Sequence, residues 1–190
     1  MGSSKLRLYG STSGFVELEA PAVAPDAALV LPSTFAGIGS NVVQTVKTDT
    51  ASASSTSFID IDGLSATITP SSDTSKILVI ANLNGSAREE VYFRLNGGGS
   101  DAYVGDADGS RASVATGIFR RDGGSWDFRR SSVEFSMVYL ASPGVTSPVT
   151  FSVQWRVNSS TAHLNRSHLD EDADTRARSA SSLTLVEVAA

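Results

Sequence analysis

His163 and His168 are the only imidazoles in the chain, and they stand beside Asp170, Glu171, Asp172 and Asp174. Imidazole nitrogens and carboxylate oxygens together make a ligand set for a divalent cation. The spacing matches no established ligand frame, and a run of acids reads first as a solvated loop. Asp106-Ala107-Asp108-Gly109 opens like a calcium loop. Its sixth position holds Arg111 where glycine is needed, and its twelfth holds Gly117 where a carboxylate is needed, so that frame fails. The sequence therefore gives no reason to expect a metal or any other cofactor.

Covalent chemistry has no better footing. Serine is abundant, but there is no Gly-x-Ser-x-Gly elbow and no cysteine. Asp60, Asp62, Glu89, Glu90 and Glu134 could be paired on paper for glycoside cleavage. No spacing selects a pair, and Glu89-Glu90 just before a strand reads as a solvated edge. Gly37-Ile38-Gly39-Ser40 and Gly97-Gly98-Gly99-Ser100 precede neither a helical pattern nor a Lys-Ser/Thr, so they read as linker and hairpin turn rather than phosphate cradles. The expectation is a protein that is not an enzyme. Aromatic rings offer recognition instead. Trp126, in Gly123-Gly124-Ser125-Trp126-Asp127-Phe128, has a loop-like setting in which its ring could stack on a glycan or pack at a subunit contact. Trp155 lies inside a strand pattern and reads as core. Tyr92 and Phe93 fall on opposite faces of one strand.

The elements that would carry these residues are strands. Apolar and polar residues alternate at Lys5–Tyr9, Phe15–Glu19, Phe58–Asp62, Leu64–Thr69, Val91–Leu95, Val133–Leu140, Phe151–Val157 and Leu183–Val188. A period of two puts one face inward and the other toward solvent. Shorter strands are expected at Ala27–Leu31, Val42–Val46, Ala102–Val104, Ala112–Phe119 and Ala162–Leu164. Lys76–Leu83, KILVIANL, is the most continuous apolar run and is expected to be a central strand covered on both faces. Phe58–Asp62 and Leu64–Thr69 read as a hairpin about a tight Asp62-Gly63 turn. Asn96-Gly97-Gly98-Gly99 marks another turn. Asp170–Ser179 reads as a charged loop with room for one helical turn. The strand count and the turn spacing predict an all-β fold, a jelly-roll-like β-sandwich, preceded by a short β-rich N-terminal attachment arm.

The arm is expected over residues 1–41 and the sandwich over 42–190. The first two strands pair about Gly10–Gly14, Pro21 and Pro25 interrupt pairing, and Ser33–Asn41 is a small-residue linker. So small a β piece is marginal alone. It is expected to dock on another chain or on the main domain through Leu6, Leu8, Phe15, Val16, Leu18, Leu29 and Leu31. The 190 residues are 41% hydrophobic, enough for one core. A net charge of −5, with Arg120-Arg121 and Arg129-Arg130 the only basic doublets, argues against a nucleic-acid partner. No apolar leader and no 18-residue apolar span is read, so neither secretion signal nor membrane partner is expected. Of the 15 cations 12 are Arg, the residue better suited to forked hydrogen bonds at subunit contacts, unless coding bias alone set the ratio.

Two blocks carry a resemblance. Leu8-Tyr9-Gly10-Ser11-Thr12-Ser13-Gly14-Phe15-Val16-Glu17-Leu18-Glu19-Ala20-Pro21-Ala22, continuing to Leu29-Val30-Leu31-Pro32, resembles a module at the front of structural proteins of tailed bacteriophages, marine and cyanobacterial ones included. Ser57–Val79 is similar to the start of the β domain behind that module in fibre-like phage proteins, and Val91–Leu95 and Val104–Arg111 fit the same pattern. The resemblance implies a virion component assembled in the host cytoplasm. It also implies a homotrimer contacting other capsid or tail proteins, with the front module as attachment arm. With no long shaft read here, it favours a compact capsid decoration or short fibre. The alternative is a tail fibre tip that recognises a host surface glycan through Trp126 and the loop over residues 96–110.

Overall fold

The computed structural model describes residues 5–9, 15–19, 41–98, 103–118 and 132–188. Among these the chain forms twelve strands and no helix. In chain order they are β1 (Lys5–Tyr9), β2 (Phe15–Glu19), β3 (Val42–Lys47), β4 (Ala51–Ala53), β5 (Ile59–Ile68) and β6 (Lys76–Ala87). They continue as β7 (Val91–Gly97), β8 (Thr116–Ile118), β9 (Val133–Ala141), β10 (Val149–Val157), β11 (Ala162–Leu164) and β12 (Ser181–Val188). The chain divides into two compact units, Met1–Phe35 and Ala36–Ala190. In the first, β1 and β2 form an antiparallel hairpin with Leu6 opposite Leu18, Leu8 opposite Val16 and Tyr9 opposite Phe15. Leu29 and Leu31, and the strand expected at Ala27–Leu31, lie outside the described residues.

The second unit is a β-sandwich of two antiparallel sheets. One runs β5-β10-β7-β8; the other runs β3-β12-β6-β11-β4, with β9 on the opposite edge of β6. β6 is the spine. Its Lys76–Asn82 half pairs with β12 and its Gly85–Ala87 end with β11, while β9 follows the other edge from Ile77 to Gly85. β3 pairs with β12 and β4 with β11, so β3/β4 and β11/β12 are each one lane broken in the middle. Counted as eight lanes, the sheets run 1-8-3-6 and 2-7-4-5.

The core follows from strict alternation. Ile77, Val79, Ala81 and Leu83 of β6 point inward with Leu183 and Leu185 of β12 and Phe135 and Met137 of β9. They meet Val91, Phe93 and Leu95 of β7 and Phe151, Val153, Trp155 and Val157 of β10. The Phe93 ring sits 5.2 Å from Phe135 across the sheets and 6.4 Å from Trp155 beside it. The core position expected of Trp155 is thus observed, and of Tyr92 and Phe93, expected on opposite faces of one strand, Phe93 is buried while Tyr92 takes the outer face.

Several expectations are corrected. Ile59–Ile68 is one strand, because β10 runs past both halves of it and pairs with each. Gly63, at φ +72°, absorbs a bulge between the Ser152–Ser65 and Gln154–Asp60 pairs. The extra residues shift the alternation, so that Ile61 and Leu64 are both buried. A side chain at Gly63 would be strained by that φ. Tyr103 and Val104 are not in a strand; the Tyr103 ring packs 4.7 Å from Tyr139, whose hydroxyl donates to the Tyr103 carbonyl at 2.9 Å. Only Thr116–Ile118 of the expected Ala112–Phe119 strand pairs in the described residues. Residues 170–179 turn without forming a helix, and the Ser/Thr/Ala-rich stretch Thr48–Ser57, which reads as a loop or an irregular edge, contains the short edge strand β4.

The breaks in the two lanes are filled by one side chain. Asn165 is fully buried, at φ 60°. Its amide nitrogen donates to the carbonyls of Lys47 at 2.8 Å and Asp49 at 2.9 Å, between β3 and β4. Its amide oxygen accepts from the Ser181 hydroxyl at 2.7 Å, at the start of β12. Its backbone N–H donates to the Asn84 carbonyl of β6, and its carbonyl accepts from Ser179. Asn tolerates the left-handed backbone better than most residues. Replacing Asn165 by Ala removes three side-chain hydrogen bonds and strands buried partners, a loss of about 3–4 kcal/mol. Asn165→Gly relieves the backbone but not the lost bonds. Urea denaturation should place Asn165→Gly between wild type and Asn165→Ala, both well below wild type; wild-type stability in either variant contradicts the assignment.

Candidate functional site

The histidine–acid cluster is a folded knot. His163 is on β11, and residues 166–170 lie over it. The Ser86 hydroxyl donates to the Arg166 carbonyl at 2.8 Å. The Arg166 guanidinium donates to His163 Nδ1 at 2.8 Å, which leaves the imidazole proton on Nε2. The His168 ring centroid lies 5.0 Å from that of His163. Asp170 is paired with Arg166 at 3.1 Å and Arg178 at 2.7 Å, and Glu171 with Arg176 at 2.7 Å. The His163 lone pair and the Asp170 and Glu171 carboxylates that a cation would use are thus taken by guanidiniums. Among the described residues no group of three or more His, Asp or Glu is placed to hold a metal. Asp108 likewise pairs with Arg111 across its turn. Asp60 accepts from Ser152 at 2.8 Å and Gln154 at 3.0 Å on the outer face of the four-stranded sheet. Glu134 lies on β9 in the other sheet, so these two carboxylates flank no common cleft.

The two outer faces differ in chemistry. On the larger sheet, strand register builds rows across β3, β12, β6 and β9: Val42–Val186–Leu78–Leu140, then Gln44–Thr184–Ile80–Val138, then Val46–Ser182–Asn82–Ser136. None of these twelve positions is charged. Val138 is 58% exposed, Leu140 50%, Val42 52% and Val46 53%. β3 is turned so that Val42 and Val46 face out while Thr45 and the buried Lys47 face the other sheet; the Thr45 hydroxyl donates to the Ser65 carbonyl of β5 at 2.8 Å.

On the smaller sheet the outward residues are polar and aromatic. The Arg94 guanidinium lies 4.2 Å from the Phe58 ring centroid, and Arg156 lies 5.5 Å from Phe58 and 4.7 Å from Tyr92. Arg94 Nε donates to Gln154 at 2.8 Å, so Asp60 is linked to Arg94 only through that amide. Ring contacts of this kind hold a guanidinium by its flat face and leave N–H edges for other partners. This cluster was not read from the sequence; the one available signal was the alternation of Tyr92-Arg94 and Gln154-Arg156 on paired strands.

Of the residues singled out for function, Leu6, Leu8, Phe15, Val16 and Leu18 are on the β1–β2 hairpin, and Trp126 lies outside the described residues, as do both Arg doublets. Among the described residues no helix is long and apolar enough to cross a membrane. No family model and no curated protein sequence matches the chain.

Two buried ionisable groups make stability depend on pH. Burial lowers the His163 pKa from 6.5 to about 4, helped by Arg166 and His168 and opposed by Asp170. For Glu187, burial acts to raise the pKa, but hydrogen bonds from Ser71 and Asn41 outweigh it and hold the pKa at about 2. The Ser71 hydroxyl donates at 2.5 Å, the Ser71 N–H at 2.7 Å and the Asn41 amide at 3.0 Å. The unfolded chain takes up the His163 proton near pH 6.5 and the Glu187 proton near 4.5, before the folded protein takes up either. Stability therefore falls on acidification, between pH 6.5 and 4 for His163 and between 4.5 and 2 for Glu187. Denaturation midpoints measured from pH 8 to 3 should decline across both windows. In His163→Gln, which keeps an acceptor for Arg166, the upper decline should shrink; an unchanged slope contradicts the assignment.

Proposed function

We propose that this chain is a non-enzymatic structural component of the exterior of a bacteriophage particle, a trimeric capsid decoration or short fibre protein held through its N-terminal arm. The observation that carries the reading is the uncharged apolar outer face of the larger sheet. β6 is apolar on both sides, the composition of a strand covered twice. Inside one chain its inner side is buried, while Leu78 and Ile80 on its outer side are half-buried between exposed Val138, Leu140 and Val42. Monomeric proteins rarely expose a contiguous apolar patch of this sort.

The occupant is a second copy of the chain. At a net charge of −5, copies repel across most of their surfaces, and this sheet face is where they meet without opposing charge. Three copies is the number implied by the resemblance of Leu8–Pro32 and Ser57–Val79 to phage structural proteins. The lane order 1-8-3-6 facing 2-7-4-5 supports reading the sandwich as a jelly roll, an architecture used in viral shells. Fold alone does not carry function. A second reading, a fibre tip that recognises a host glycan, draws support from the arginine–aromatic face of the smaller sheet.

Light scattering on the purified chain should give a homo-oligomer, three copies in mass. Val138→Glu with Leu140→Glu, exposed positions whose replacement leaves the core intact, should give a folded monomer. A wild-type monomer, or an oligomer unaffected by the double substitution, contradicts this interface. Removal of Met1–Phe35, the first compact unit, should leave the oligomer and abolish binding to particles; persistent binding contradicts the arm as anchor.

A further inference from the structure

A cavity of about 400 Å³ opens on the outer side of β7 and β10, lined by Tyr92, Ser110, Arg111, Val114, Arg156 and Asn158. We propose that this cavity binds a carboxylated sugar ring of an acidic polysaccharide, with Arg156 as the principal carboxylate contact. The volume suits one or two pyranose rings and lies in the range of small-ligand sites.

The charge argument rests on how Arg156 is held. Its guanidinium leans on Tyr92 at 4.7 Å and Phe58 at 5.5 Å, and its one hydrogen bond to a described residue is a long 3.4 Å contact to the Thr56 carbonyl. Among the described residues no carboxylate pairs with it. Arg94 stacks on the same Phe58 ring and is bonded to Gln154, an uncharged amide. Two guanidiniums thus share one ring in a chain that is acidic overall. The stacking fixes the plane of Arg156 before a ligand arrives, so little side-chain entropy is lost when its N–H edge meets a carboxylate in the forked geometry that Arg favours. Arg111, across the cavity, is paired with Asp108, but both side chains are largely exposed. A pair of that kind is weak, so Arg111 can exchange Asp108 for a bound carboxylate.

The other lining groups suit sugar hydroxyls. The Ser110 hydroxyl donates and accepts, the Asn158 side-chain amide does both, and Val114 offers an apolar wall to ring C–H groups. The Asn158 N–H is spent on the Glu90 carbonyl at 3.2 Å, which fixes the residue at the cavity rim. A planar fork beside neutral donors and acceptors selects an acid sugar over a neutral one, because a neutral sugar leaves the Arg156 edge without its best partner.

The inference deepens the fibre-tip reading but needs no virion, since binding is a property of the isolated chain; its failure leaves the oligomer interface untouched. The test is calorimetric titration of the full chain with a tetramer of galacturonic acid and with its carboxyl-reduced, neutral galactose counterpart. The acid tetramer should bind at least about tenfold more tightly than the neutral one. Arg156→Gln and Arg156→Lys should each weaken it about tenfold, the second because a point charge cannot fork, and Arg111→Gln about threefold. Unchanged thermal unfolding in Arg111→Gln keeps the test independent of folding. Equal binding of the acid and neutral tetramers, full affinity in the Arg156 variants, or no binding of the acid tetramer at millimolar concentration overturns the proposal.

Discussion

One buried amide closes the larger sheet. Two of its four lanes are broken, β3 from β4 and β11 from β12, and each break exposes backbone groups that neighbouring strands do not reach. Asn165 takes them up, bonding Lys47 and Asp49 on one side, Asn84 of the spine strand within the sheet, and Ser179 and Ser181 on the other. A neighbouring residue extends the seam: the Asn84 N–H donates to the Ser181 hydroxyl and its side chain to the Ala180 carbonyl. Buried polar groups are costly unless every donor and acceptor is met. Here they are met by segments more than a hundred residues apart in sequence, which makes the network a statement about the whole sandwich.

That seam allows the chain to leave the sheet, wrap residues 166–180 over its outer side and return as β12. The wrapped end is polar and ion-paired, with His163 sealed beneath it. The other end of the same outer face stays open and apolar. Division of labour follows from this layout. The larger sheet has one end closed by its own chain and one end suited to another copy. The smaller sheet turns arginines and aromatic rings outward, where they can meet something charged. An oligomer formed through the first leaves the second pointing away from the contact.

Much of the sandwich could be read from alternation. Lys76–Leu83 reads as central and is paired along both edges; Trp155 reads as core and is buried there. The reading went wrong where local signals have two physical uses. Asp62-Gly63 looks like a hairpin turn, but the same glycine at positive φ serves a bulge once β10 lies alongside both halves. Asn165 in Leu-Asn-Arg-Ser looks like an ordinary loop residue, since its partners are chosen by tertiary structure alone. The stacking of Arg94 and Arg156 on Phe58 and Tyr92 joins two strands sixty residues apart, beyond any local pattern. The double cover expected of β6 is half present in a single chain, and that missing half is what points to self-association.

Because the chain contains no cysteine, a single introduced thiol reports one contact without background. The most direct measurement is short-linker thiol cross-linking of Val138→Cys, compared with Asp62→Cys on the opposite sheet. The account predicts covalently joined copies at position 138 and none at position 62. Efficient joining through position 62, or no joining at position 138, would contradict it.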